Sequence, residues 1–418
     1  MLEMKYSGIP SIGEIPSTWD VLRIKNILSL RSEKNSGDRE LLSVYLDKGV
    51  ISYHDSTGMQ VHKPSMDLSG YQNVHIGDFV LNNQQAWRGS VGVSKYDGII
   101  SPAYFVYRLS NNCDPTYMNY LLRDSGMVQQ YETSSRGVGT IQRNLYALWF
   151  YESLVIIPPL EDQRRIGAYL ERKCNEIDDL IADVQTQINV LEQYKQSVIT
   201  EAVTKGLSSA CEMQDSGIEW VGKMPSHWLV MPNKYVMHKE KSICPIYRGE
   251  DILSLTMSGV IVRDLDAGGK MPASFDGYQH ISKGNLLMCL FDIDVTPRCI
   301  GIIRNNGLTS PAYSQFVLHD NAVPEYYYYY YLMLDFTKEL LHMSKNLRYS
   351  LTEEQLGAIS VPVPPLREQK EIADFLDAKV TEIDSIIAQK KEQLTVLDQY
   401  KKSFIHEYVT GKKEVPAQ

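Results

Sequence analysis

Four polar stretches of this chain carry the residue types that hydrogen-bond to nucleic acid. LNNQQAWRGSVG (81–92) offers Asn83, Gln84, Trp87 and Arg88, and TSSRGVGTIQRNLY (133–146) offers Ser134, Ser135, Arg136, Thr140, Gln142, Arg143 and Asn144. FDIDVTPRCIG (291–301) offers Arg298, and MSKNLRYSLTEEQ (343–355) offers Lys345, Asn346, Arg348 and Tyr349. Guanidinium forks and side-chain amides read base edges, while hydroxyls and ammonium groups bind phosphate oxygens. Aromatic rings add stacking surface. The same composition also describes ordinary solvated loops, so these residues are candidates until a frame positions them.

Bond-making chemistry has no comparable foothold. The chain has no GxGxxG opening a helix after a strand, no GxxxxGK[ST] phosphate loop, no HExxH, no CxxC pair and no GxSxG elbow. Pro-Pro occurs only in IIPPLE and VPVPPLR, never in the Asn/Asp-Pro-Pro-aromatic tetrapeptide of amino-methyltransferases. Pro-Asp, which begins the common nuclease carboxylate motif, is absent. The histidines His54, His62 and His75 have no counterparts at comparable spacing in the second half and read as surface residues. No metal-ligand spacing and no catalytic residue can be assigned.

Composition narrows the class. At 418 residues, 43% hydrophobic and 22% charged, the chain fits a globular protein of roughly two to four domains. No apolar run approaches the ~20 residues that span a bilayer, and MLEMKYSGIP has no signal-peptide pattern, so a cytoplasmic location is expected. The six cysteines lack paired spacing and read as free thiols. The net charge is −9, and counted segment by segment no domain is a polybasic clamp. DNA binding would have to use local basic loops, with partner subunits supplying most phosphate contacts.

The elements that must position the loops repeat. PPLEDQRRIGAYLERKCNEIDDLIADVQTQINVLEQYKQSVITEAVT (158–204) returns as PPLREQKEIADFLDAKVTEIDSIIAQKKEQLTVLDQYKKSFIHEYVT (364–410), identical at about half its positions without a gap. SGIPSIGEIPSTW (7–19) returns as SGIEWVGKMPSHW (216–228), and SPAY recurs at 101–104 and 310–313. A repeat of roughly two hundred residues has the size of a domain, so the chain is a tandem duplication.

Each PPL block opens a long helix. Pro-Pro stands well just before a helix and not inside one, and acidic residues follow in the first turn. Ile177, Ile181, Val184, Ile188, Leu191, Val198 and Ala202 recur at four-three spacing, as do Ile383, Ile387, Leu394, Leu397, Phe404 and Tyr408. Each helix would run roughly 65 Å. Lys195, Lys390 and Lys401 fall at seam positions, where a polar residue either sets register or snorkels. Two such helices in one chain should pair as an intramolecular coiled coil. Residues 20–157 and 229–363 are β-rich, with a short helix after each SPAY. The six tyrosines at 326–331 would spread around that helix and serve mainly as packing, although base stacking is open to them. The divisions expected are 1–157, a helix at 158–206, 207–363, a helix at 364–412 and a tail at 413–418.

The ordered combination of PPLxxQxxI, LxQYKxSxIxExVT and SGIxxxGxxPxxW, with divergent segments between, resembles the specificity subunit of Type I restriction-modification systems. The resemblance covers essentially the whole chain. It implies an α+β fold with two similar target recognition domains (1–157 and 207–363) separated by two long antiparallel helices, in pseudo-two-fold symmetry. It further implies a non-catalytic subunit in which each domain reads one half of an asymmetric bipartite DNA site and the helices set the spacing. The implied partners are double-stranded DNA, two modification subunits and restriction subunits. S-adenosylmethionine, ATP and magnesium belong to those partners, and this chain itself binds no cofactor. Gln193, Tyr194, Lys195, Gln399, Tyr400 and Lys401 are the implied docking surface, although the tyrosines suit seam packing equally. A coiled-coil scaffold with two protein-binding heads, a DNA-binding regulator without methyltransferase partners, and an enzyme with an unrecognised site are the rival readings.

Overall fold

The computed structural model describes residues 3–35, 37–56, 64–65, 67–138, 142–267, 272–344 and 349–416. The chain forms two compact units, Met1–Gln185 with Glu392–Gln418, and Thr186–Lys391. Each unit takes part of both long helices.

The first unit contains β1 (Asp20–Arg23), β2 (Leu28–Leu30), β3 (Phe79–Asn82), β4 (Val91–Val93), β5 (Tyr104–Leu109), α1 (Pro115–Arg123), α2 (Ser125–Thr133), β6 (Ser135–Val138), β7 (Gln142–Leu145), α3 (Ala147–Glu152) and β8 (Leu154–Ile157). Part of α4 (Leu160–Lys205) completes it. The second unit contains β9 (Leu229–Pro232), β10 (Met237–Glu240), β11 (Leu286–Met288), β12 (Ile300–Ile302), β13 (Ser314–Leu318), α5 (Pro324–Phe336), α6 (Glu339–Met343), α7 (Glu353–Ala358), β14 (Ser360–Val363) and part of α8 (Leu366–Val409). Their main sheets have one plan. The antiparallel order is β2-β5-β3-β4 in the first and β10-β13-β11-β12 in the second. β1 pairs with β8, and β9 with β14.

These strands form because their short apolar runs are buried: Phe79, Val80 and Leu81 in β3, and Leu286 and Leu287 in β11, are fully enclosed. Trp19, Tyr107, Tyr117 and Phe150 fill the first core with Ile166 and Leu170 of α4 and Phe404 and Tyr408 of α8. Trp228 and five of the six tyrosines, all but Tyr328, fill the second with Ile199 and Val203 of α4 and Ile372 and Leu376 of α8. Burial pushes ionisation of Tyr326, Tyr327, Tyr330 and Tyr331 well above the ordinary tyrosine range. The tyrosine run is core, which removes its buried members from any base-stacking role.

The repeated motifs turn out to be clamps. The PPLxxQ glutamines are completely buried. Gln163 Nε2 donates to the Asn112 and Pro158 carbonyls at 2.9 Å each, and its Oε1 accepts from the Asp114 N–H at 2.8 Å. Gln369 repeats all three bonds with Asn321, Pro364 and Val323. The helix ends are caught in the same way: Tyr117 Oη donates to the Val409 carbonyl at 2.9 Å, and Tyr326 Oη to the Val203 carbonyl at 3.0 Å. Gly206 and Gly411 follow those ends with φ of +75° and +72° against Trp228 and Trp19. A Cβ on Gly411 would come within 2.8 Å of the indole, so a side chain is excluded there by both torsion and space.

Within each unit the two helices run in opposite directions. In the first, the Tyr169 ring lies 5.0 Å from that of Tyr408, while Lys401 bonds Asp178 at 2.6 Å. In the second, Lys195 bonds Asp384 at 2.6 Å. Ile177, Val184, Ile188, Ile383 and Ile387 are buried along the seam, as their spacing requires. Lys195 and Lys401 neither enter the core nor fray; each reaches an aspartate on the other helix.

Candidate nucleic-acid interface

In the first unit, the loop after β3 and the β6–β7 hairpin are tied together. Asn83 holds the Leu145 N–H with both its carbonyl and its side-chain Oδ1, at 3.1 Å each. The second unit repeats the tie from Leu351 N–H to the Leu290 carbonyl at 2.8 Å. Asn83 is therefore a strut, with its amide oxygen committed inside the fold.

Cationic and aromatic side chains cluster on this frame. Trp87 has the guanidinium carbons of Arg88 and Arg143 at 5.0 and 4.7 Å from its ring centroid. Its indole N–H closes the loop by donating to the Gln84 carbonyl at 3.1 Å. Arg143 also pairs with Glu132 at 3.0 Å. Arg136 lies over Trp149 at 4.3 Å and near Tyr146 at 5.9 Å. Hairpin register sets Arg136 opposite Asn144 and Arg143 opposite Gly137. Because side chains alternate across a strand, Arg136 and Asn144 share one face and Arg143 the other. Gln84, Arg88, Arg136 and Asn144 are exposed. Cation–π contact and hydrogen-bond donors at one surface suit base edges and phosphates.

Two candidates are corrected. Ser134 and Ser135 are buried; Ser135 Oγ donates to the Tyr131 carbonyl at 2.7 Å, and Ser134 Oγ lies 3.4 Å from Ser153 Oγ. They support the hairpin because strand alternation turns Ser135 inward beside Leu145. Thr140 and the Gln142 side chain lie outside the described residues, as do Lys345, Asn346 and Arg348.

The second unit's loops differ in chemistry. Arg298 is half-buried and donates to Tyr328 Oη at 3.2 Å. Asp292 and Tyr349 adopt φ of +47° and +43°, uncommon for side chains with a Cβ. The Ile293 N–H donates to the Tyr349 carbonyl at 3.2 Å, joining the two strained segments. One frame thus carries an arginine–tryptophan cluster in one unit and a sparser, partly acidic loop in the other.

Neither Tyr146, Trp149 nor Glu132 is picked out by residue type alone. The signal that finds the two aromatics is alignment of the halves, which sets them against Thr352 and Gln355.

The comparisons with known proteins bear on this arrangement. Residues 301–396 match the family model described as Type I restriction modification DNA specificity domain. The type I restriction enzyme MjaVIII specificity subunit of Methanocaldococcus jannaschii is 22% identical over 426 residues, covering 96% of this chain and 94% of that one. The candidate MjaX specificity subunit of the same organism is 24% identical over 456 residues, covering 97% and 96%. Over nearly its whole length the chain is similar to specificity subunits of Type I restriction-modification systems. A chain from a structure titled for complex assembly and conformational transition of the type I R-M system has the same fold, with a TM-score of 0.70 at 17% identity over 96% of this chain and 99% of that one.

Specificity subunits are non-catalytic DNA-recognition components, and in this chain burial pushes the Cys113, Cys174, Cys289 and Cys299 thiols up, away from the thiolate form. Among the described residues no group of three or more His, Cys, Asp and Glu could hold a metal ion, and no helix is long and apolar enough to cross a membrane. Of the docking candidates, Gln193, Tyr194, Gln399 and Tyr400 are exposed, while Lys195 and Lys401 are engaged by Asp384 and Asp178. Tyr194 and Tyr400 are 48% and 54% exposed, and the Tyr400 ring also lies 5.8 Å from that of the seam residue Phe404.

Proposed function

We propose that this chain gives a Type I restriction-modification complex its DNA sequence specificity, each unit reading one half of an asymmetric bipartite site. The observation that carries this reading is one sheet-and-helix frame, built twice, holding two chemically unlike loop sets. Identical readers would select a symmetric site, whereas unlike readers on equivalent frames select unlike half-sites. The arginine–tryptophan cluster supplies donors and stacking surface in the first half-site, and the loops around Arg298 and Tyr349 serve the second. The paired helices set the separation of the half-sites.

The exposed Gln-Tyr steps at 193–194 and 399–400 are aromatic surfaces at equivalent places, suited to docking two copies of one partner. Those partners are the modification subunits, which methylate adenine with S-adenosylmethionine; restriction subunits bring ATP and magnesium. The chain itself takes none of these cofactors and acts by recognition alone, in the cytoplasm. Co-expression with an adenine methyltransferase partner tests the reading. A stable complex that protects a bipartite duplex supports it. A chain that binds the methyltransferase while DNA has no effect on the complex supports a scaffold instead.

A further inference from the structure

The two units place different chemistry in one structural slot. α3 and α7 begin at equivalent points, and their buried anchors correspond as Phe150 and Leu356. In the second unit, Thr352 and Gln355 close a capping box: Thr352 Oγ1 accepts from the Gln355 N–H at 3.2 Å, and Gln355 Oε1 from the Thr352 N–H at 2.9 Å. The first unit has Tyr146 and Trp149 at those positions, and α3 starts without a side-chain cap.

Burial does not account for the exchange. Tyr146 is 48% and Trp149 41% exposed, with their ring centroids 5.4 Å apart. They give up a stabilising cap and gain a platform beneath Arg136, 4.3 Å from Trp149. The neighbouring Arg143 is held by Glu132, but among the described residues no carboxylate or carbonyl engages the Arg136 fork. A guanidinium held over a ring spends no hydrogen bond on it, so its N–H donors stay available. A planar donor fork matches the paired O6 and N7 acceptors of guanine, a pattern no other base presents in the major groove.

We propose that Arg136, stacked on Trp149 and Tyr146, selects a guanine in the half-site read by the first unit, with Trp149 as its positioning residue. This rests on the DNA-reading role proposed above. The test maps methylated adenines in a host that expresses this chain with its modification partner and has no other adenine methylation. Arg136→Lys keeps the charge and loses the planar fork. The pair Tyr146→Thr with Trp149→Gln installs the capping box of the second unit, which keeps the helix start intact. Trp149→Phe keeps a ring under the arginine.

The expected result is one guanine position in one half-site that becomes degenerate in the first two variants. Discrimination there falls roughly tenfold or more, while the other half-site and the Trp149→Phe motif are unchanged. A bipartite motif whose guanines all survive Arg136→Lys overturns the guanine assignment and leaves the DNA-reading role standing. Degeneracy with Arg136→Lys but not with the capping-box pair overturns the positioning role of Trp149. A wild-type chain that directs no bipartite methylation overturns both.

Discussion

Lys195 Nζ on α4 donates to Asp384 on α8 at 2.6 Å, and its repeat counterpart Lys401 on α8 donates to Asp178 on α4 at 2.6 Å. Donor and acceptor have changed helices between the two bonds, as expected when two copies of one sequence pair in opposite directions. Both lysines are about one-quarter exposed and both aspartates about half. The pairs therefore specify which residues face one another more than they stabilise the fold.

A double-mutant cycle on Lys195 and Asp384 should give a coupling of about 0.2–1 kcal/mol. That coupling should shrink in 1 M salt, since exposed charges are screened. Urea denaturation of the single and double alanine variants measures it, and a coupling several times larger would mean the pair stabilises the fold as a buried ion pair does.

Gln163→Ala and Gln369→Ala should be far more damaging. Each removes a fully buried amide that satisfies two carbonyls and one N–H, leaving those groups unpaired. A loss of roughly 1–3 kcal/mol is expected, with faster hydrogen exchange confined to the unit that carries the change. Uniform acceleration across both units would contradict the local role assigned to each glutamine.

The buried tyrosines set the alkaline limit. Burial raises the folded-state pKa of Tyr117, Tyr131, Tyr326, Tyr330 and Tyr331 above the usual 10.0. The unfolded chain sheds these protons first, so stability is full below pH 10 and falls as pH rises beyond it. Phenolate absorbance followed with far-UV circular dichroism should show this set ionising together with unfolding. Complete titration near pH 10 with the circular dichroism unchanged would contradict the packing described.

Much of this architecture is legible in the amino-acid sequence. Pro-Pro and the four-three apolar spacing mark both long helices, because helix starts and seams follow from local sequence. The duplication reveals the common frame because the buried positions that build it, such as Trp19 and Trp228 or Gln163 and Gln369, repeat. The proposed reading surface is less visible, since polarity does not tell which way a side chain faces. Ser135 turns inward by strand alternation, and Asn83 is consumed by a tie to Leu145. Trp149 carries no signal of its own in the sequence and is a surface residue in the fold. Its contrast with Gln355 is readable only when the two halves are compared position by position.

Exchanging one reader tests the central claim most directly. Residues 1–157 are replaced by the corresponding segment of a related specificity subunit with a different target, and adenine methylation is mapped with the modification partner present. The account predicts a new bipartite motif in which one half changes and the other half is retained. An unchanged motif, or a stable complex in which both halves change together, would contradict the assignment of one half-site to each unit.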